Sequence, residues 1–159
     1  MILLTFAHRA EAKAFLTFFH RLKADPVWGD LYTSVEDNLS VVITGEGYFE
    51  GSISLGKALG KISHVSHIIN LGVAGALSQG LEQGDILAGK HVYRGESASN
   101  KKMSFKSVAL HSLSQGRISS VNIVTVTERV LEKKQKTYYC HFGDLVDREL
   151  WGLALTATK

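Results

Sequence analysis

The chain has 159 residues, 45% apolar and 21% charged, with a single proline and a single cysteine. That length fits one domain spanning residues 1–159, and it can bury a core without disulfides or structural metal; Cys140 has no second cysteine to pair with. A formal charge of +3 with well-mixed signs is too mild to indicate a nucleic-acid or membrane partner, and the apolar content excludes a disordered chain.

Residues 2–7 form a short apolar run suited to a strand buried on both faces. Arg9, Glu11 and Lys13 follow at once, so a secretory leader is not expected. From Ala10 the period changes: Ala14, Phe15, Phe18, Phe19 and Leu22 recur at helical spacing, with the phenylalanines read as core, until Pro26 and Gly29. Residues 31–35 and 39–44 predict a hairpin around Glu36-Asp37-Asn38. Gly45-Glu46-Gly47 closes its second strand, and a helix carrying Ile53, Leu55, Ala58 and Leu59 follows.

Residues 67–71 predict another buried strand, closed by Gly72-Val73-Ala74-Gly75. The apolar stretch 68–77 is far short of the roughly 20 residues a membrane span needs, so a soluble, cytoplasmic protein is expected. A strand at 85–92 comes next, then a polar loop at 96–106 and strands at 108–113 and 118–126. Thr125-Val126-Thr127-Glu128 fits a capping box opening a helix at 128–134. A strand near 138–142 and a helix at 147–157 complete the chain. Strands alternating with helices predict an α/β domain with a mainly parallel sheet and helices on both faces.

Two glycine turns, Gly45 to Gly47 and Gly72 to Gly75, each follow a strand that reads as buried. Both should therefore lie at the carboxyl ends of the strands, where open α/β sheets bind ligands. Glycine there lets backbone N–H groups approach a ligand, although either turn alone also reads as an ordinary tight turn. Neither completes a dinucleotide G-x-G-x-x-G fingerprint. The seven histidines lack metal-ligand spacing, so no metal is expected; His8, at a strand end just before Glu11, is the one placed to reach a pocket. The lysine runs at 101–102 and 133–136 lack interleaved aromatics and read as solvated faces.

Taken together, Ile68-Ile69-Asn70-Leu71-Gly72-Val73-Ala74-Gly75-Ala76-Leu77 and the following Leu81-Glu82-Gln83-Gly84-Asp85-Ile86 resemble the purine nucleoside phosphorylase/nucleosidase superfamily. The similarity is greatest to its methylthioadenosine/S-adenosylhomocysteine nucleosidase and futalosine hydrolase branch. Glu11 after the opening strand, Thr44-Gly45-Glu46-Gly47 before a helix, and Val146-Asp147-Arg148-Glu149 agree in order and spacing. The resemblance implies a three-layer α/β sandwich with a mixed, mainly parallel sheet that lacks the family's last strand and helix. It also implies cleavage of the N-glycosidic bond of a purine nucleoside or related ribosyl compound, no cofactor, a small-molecule nucleoside as partner, and a homodimer with Trp28 and Trp151 at the interface.

By family position Glu11 is the carboxylate that activates water, and Glu149 the one that accepts hydrogen bonds from ribose hydroxyls. Without the resemblance, each reads as a first-turn helix glutamate favoured by the dipole. Gly72, Val73, Ala74 and Gly75 would pass close to base and sugar, with Val126 lining the base pocket and Gly45 and Gly47 beside the nucleophile. Asn70 stands where many phosphorylases hold phosphate with arginine, which favours water; Arg94 reads as a solvated strand end.

Two departures stand out. Arg148 replaces the methionine that packs on the sugar; it can pair with Glu149, recruit an acidic substrate group or simply face solvent. The family's Ser-Asp strand, whose aspartate protonates the leaving base, has no counterpart before Lys159. Loss of a general acid costs about 10²–10⁴-fold in rate. A non-catalytic nucleoside binder, a phosphorylase using phosphate, and a subunit whose open sheet edge pairs with a second chain therefore stand as alternatives.

Overall fold

A computed structural model describes residues 1–95, 107–109 and 118–158, with side chains described outside 107–109. The elements run β1 (Ile2–Phe6), α1 (Arg9–Phe18), β2 (Lys23–Ala24), β3 (Leu31–Ser34), β4 (Leu39–Ile43), α2 (Tyr48–Lys61), β5 (His67–Asn70) and β6 (Gly75–Ala76). They continue with β7 (Leu87–Arg94), β8 (Ser107–Ala109), β9 (Ser119–Thr125), α3 (Lys133–Tyr139), β10 (Leu145–Asp147) and α4 (Leu150–Ala157). The α/β class is as expected.

The strands form two five-stranded mixed sheets, ordered β2-β3-β4-β1-β5 and β6-β10-β9-β7-β8, where one sheet was expected. In the first, the parallel strands β4-β1-β5 run out to the edge at β5; in the second, the parallel strands β10-β9-β7 occupy the centre. Antiparallel strands complete the other edge of the first sheet and both edges of the second. The chain leaves β5 through the Gly72 to Gly75 turn and enters β6 on the far edge of the other sheet, so this turn divides the hydrogen-bonding network.

β1 and β4 are mostly apolar because both faces are covered: Leu3, Val41 and Val42 are fully buried, as are the polar Thr5 and Ser40. α1 covers one face through Ala12, with Phe15 and Phe19 partly buried against it, while Phe18 is 78% exposed and not core. α2 covers the other face with Leu55 and Ala58.

α4 is apolar at all but Thr156; Trp151 to Ala154 are buried, while Leu155 is exposed. Its Leu153 joins the core of the first sheet with Leu3, Val42 and Leu55, while Trp151 and Ala154 join that of the second with Val92, Val121 and Ile123. Trp151 is thus a core residue and not an interface one, and Trp28 packs partly buried against the first core.

Three further expectations change. The helix predicted at 128–134 begins at Lys133, capped by Glu132 and Gln135 in place of Thr125 and Glu128. Tyr138, Tyr139 and Phe142 belong to the end of that helix and its turn, not to a strand. Their spacing puts aromatic surface against Val124, Val126 and Val146, and this packing overrides their β-propensity. The predicted strand 108–113 is β8 as far as Ala109, and the rest of it, like the loop 96–106, lies outside the described residues. No helix among the described residues is long and apolar enough to cross a membrane.

α2 and α4 approach closely where Gly152 meets Tyr48: a Cβ on Gly152 would lie 2.0 Å from the Tyr48 carbonyl oxygen and 2.5 Å from Ser52 Oγ. Gly152→Ala is expected to destabilise the fold by about 2–3 kcal/mol by forcing the helices apart. Gly56→Ala, in the same helix pair but with nothing within 4 Å of the added methyl, should stabilise by up to about 1 kcal/mol. Urea unfolding of both variants checks the contrast.

Candidate active site at the carboxyl ends of the strands

The segments after β1, β4, β5 and β10 meet at the carboxyl ends of the parallel strands of both sheets. Glu11, in the first turn of α1, accepts hydrogen bonds from its own cap, His8 N–H to Oε2 at 3.1 Å, and from the glycine turn, Val73 N–H to Oε1 at 3.2 Å. One carboxylate therefore ties the start of α1 to the turn after β5.

Glu149 caps the start of α4. Its Oε1 accepts the Gly47 N–H at 2.8 Å and its Oε2 the Arg148 N–H at 3.3 Å. Gly45 and Gly47 have φ of +81° and +94°, a left-handed conformation that favours glycine. That conformation turns the Gly47 amide toward Glu149. Each carboxylate thus has both oxygens engaged by backbone donors. A carboxylate has about four acceptor positions, so capacity remains for a ligand.

Between them stands Glu46, which sequence reasoning placed only as the middle of a turn. Its Oε1 meets His8 Nε2 at 2.6 Å, its Oε2 accepts from Arg148 Nη1, and Arg129 Nη2 lies 3.8 Å away. The bond from His8, joined by the charges of Arg148 and Arg129, holds Glu46 below the usual carboxylate range against partial desolvation. Arg148 pairs with Glu46 and leaves the Glu149 carboxylate to backbone donors. A charged residue between two glycines at a strand end was the available signal; what it would meet from His8, Arg129 and Arg148 was not visible from their sequence positions.

The other expected residues divide. Gly75 and Ala76 pair with Val146 and Leu145 of β10, so the second half of the glycine turn joins the other sheet, while Ala74 stays exposed. Val126 lies in the core beside Val124 and Tyr139, 3% exposed. The Asn70 carboxamide oxygen accepts from buried Thr5 at 2.8 Å. Arg94 lies over the Tyr48 ring at 5.3 Å, a cation–π contact and not a solvated strand end. Val73 is 84% exposed, so the arrangement is an open shelf. Two hollows of about 420 Å³ lie away from it, one lined by residues including Arg9, Lys13 and Tyr32 and the other by Ser78, Lys133 and Cys140.

Beneath Glu149, Asp147 serves the start of α4. Its Oδ2 accepts the Glu149 and Leu150 N–H groups at 3.2 and 2.6 Å, and its Oδ1 accepts the Thr125 hydroxyl at 2.5 Å. The Thr125 oxygen in turn accepts the Trp151 N–H. Part of the residue meets solvent, but the carboxyl group points inward. Desolvation pushes its pKa up to about 6, opposed by the Thr125 and backbone hydrogen bonds and assisted by the Glu149 charge.

No protein-family model matches this sequence, and no curated protein matches it. Solved structures do. Futalosine hydrolase from Helicobacter pylori strain 26695, in a mutant form, aligns at a TM-score of 0.83 and 17% identity, over 99% of this chain and 82% of its own. The 5'-methylthioadenosine/S-adenosylhomocysteine nucleosidase of Campylobacter jejuni aligns at 0.85 and 15%, over 99% and 79%. A Helicobacter pylori nucleosidase mutant with 5'-methylthioadenosine in its active site aligns at 0.83 and 16%, over 99% and 78%. The fold is therefore that of these nucleosidases, at roughly four fifths of their length.

The Asp147 shift gives a testable pH dependence. A carboxyl that holds its proton to about 6 when folded and to about 3.8 when unfolded makes the folded state bind more protons between those values. The stability it contributes is complete below pH 3.8 and is lost as pH rises through 6. Comparing wild type with Asp147→Asn in chemical unfolding, the difference should move by up to about 3 kcal/mol against wild type between pH 4 and 7. A constant difference would place the titration elsewhere.

Proposed function

We propose that the protein is a nucleosidase-like hydrolase that cleaves the N-glycosidic bond of a purine nucleoside or related ribosyl compound, with Glu11 directed at water and Glu149 at the ribose hydroxyls. The observation that carries this reading is the pair of backbone-anchored carboxylates, one on the Val73 amide and the other on the Gly47 amide, at the carboxyl ends of the strands. Donors fixed by the backbone hold each carboxylate aimed, as general-base work and charge stabilisation require. The fold shared with solved nucleosidases supports the same reading.

In this reaction Glu11 takes a proton from water while the water oxygen bonds to the anomeric carbon. The C–N bond breaks, and its electrons leave with the base nitrogen, which takes a proton from solvent. Glu149, accepting from ribose hydroxyls, favours the positive charge that develops on the sugar. The apolar side chains of Phe49 and Ile53, one turn apart and exposed on α2, support a homodimer.

The open shelf around Val73 favours one alternative, a nucleoside-binding protein without turnover, because water reaches the reacting groups freely. Incubation with methylthioadenosine, S-adenosylhomocysteine, inosine and futalosine, with and without phosphate, separates the two. Hydrolysis predicts release of free base independent of phosphate, with a rate that falls about 10²–10⁴-fold in Glu11→Gln while ligand binding persists. Glu149→Gln should weaken both binding and rate. A ligand-dependent thermal shift with no base released would establish the binder.

A further inference from the structure

Glu149 occupies the N-cap position of α4, yet its side chain makes no hydrogen bond to the amides of the first turn. A cap side chain ordinarily supplies that acceptor, because the first amides of a helix have no partner within it. Here the carboxylate reaches across to the start of α2, where its Oε1 accepts the Gly47 N–H at 2.8 Å.

Other residues do the capping. Asp147 Oδ2 takes the Glu149 and Leu150 N–H groups, and the Thr125 hydroxyl oxygen takes the Trp151 N–H at 3.0 Å. The Gly152 N–H returns to the Glu149 carbonyl. Every amide from Glu149 to Gly152 is thus satisfied without the Glu149 side chain. Thr125, the last residue of β9, also donates its own proton to Asp147 Oδ1. One hydroxyl therefore caps the helix and holds the other capping side chain in place. Thr125 is 1% exposed, so it acts on the shelf only through its neighbours.

We infer that Thr125, together with Asp147, is a positioning residue for Glu149: by capping α4 in its stead, the pair leaves the Glu149 carboxylate turned toward Gly47 and the shelf. This rests on the reading of Glu149 as the ribose carboxylate. Without the Thr125 hydroxyl, the Trp151 amide becomes a buried donor in need of an acceptor. Glu149, at the N-cap, is the residue whose place in the helix fits it to supply one. A side chain folded back onto its own helix is taken from Gly47 and from the ribose hydroxyls alike.

The test reads the Gly47 amide proton by NMR on the full chain, alongside calorimetric binding of methylthioadenosine. A proton held in a charge-assisted bond to a carboxylate resonates downfield of a free one. Thr125→Val, which keeps the side-chain shape, should move the Gly47 proton upfield, toward its position in Glu149→Ala. Thr125→Ser, which keeps the hydroxyl, should leave it near wild type. Asp147→Ala removes the other half of the cap and should act like Thr125→Val. Affinity for methylthioadenosine should fall about 5- to 30-fold in Thr125→Val and return in Thr125→Ser. A general loss of stability does not move a resonance of the folded state, so the shift separates positioning from mere support.

A Gly47 proton that stays in place in Thr125→Val and Asp147→Ala overturns the inference, as does a shift equally large in Thr125→Ser. If the Gly47 proton moves as stated but no form of the chain binds methylthioadenosine, the positioning stands and the ribose role of Glu149 falls. If wild type and Thr125→Val bind methylthioadenosine equally while Glu149→Gln does not, the ribose role stands and the positioning falls.

Discussion

The contact on which the site depends is the one between α2 and α4 at Gly152. α4 contributes buried residues to the cores of both sheets, with Leu153 facing one way and Trp151 and Ala154 the other. Its close approach to the Tyr48 carbonyl brings Glu149 to the Gly47 amide at the start of α2. The hydrogen bond that orients Glu149 is thus a consequence of helix packing. Separating the helices would loosen the carboxylate without touching it.

Asp147 shows the tension this creates. The start of α4 has free N–H groups that need an acceptor, and the Asp147 carboxylate supplies one to Glu149 and Leu150. An ionised acceptor is the stronger one, yet burial favours the neutral acid. The ordering of the Glu149 backbone is therefore obtained at some expense of stability at neutral pH.

Much of this was legible in the sequence. Nearly continuous apolar runs, as in β1 and β4, announce burial on both faces, and the glycines at 45 and 47 mark a turn whose backbone adopts a left-handed geometry. The division into two sheets was not legible, because it depends on β6 pairing with β10 about 70 residues away, through only two residues of each strand. The α3 region misled because Tyr138, Tyr139 and Phe142 suit a strand by type and a helix by spacing, and only their packing on Val124 and Val126 decides. Glu11 and Glu149 were accessible through resemblance; the convergence of His8, Arg129 and Arg148 on Glu46 required coordinates.

Glu46 is the residue that distinguishes the electrostatics of this shelf. Without it, two arginines would face one another across the shelf, and their repulsion would push the turn and the start of α4 apart. With it, the attraction binds the segments after β1, β4 and β10 together, the same segments that carry Glu11, Gly47 and Glu149. The network is partly exposed, so its worth in stability is modest. Its larger effect is on order: one carboxylate gathers donors from three other parts of the chain, so a change at any of them shifts the start of both α1 and α4.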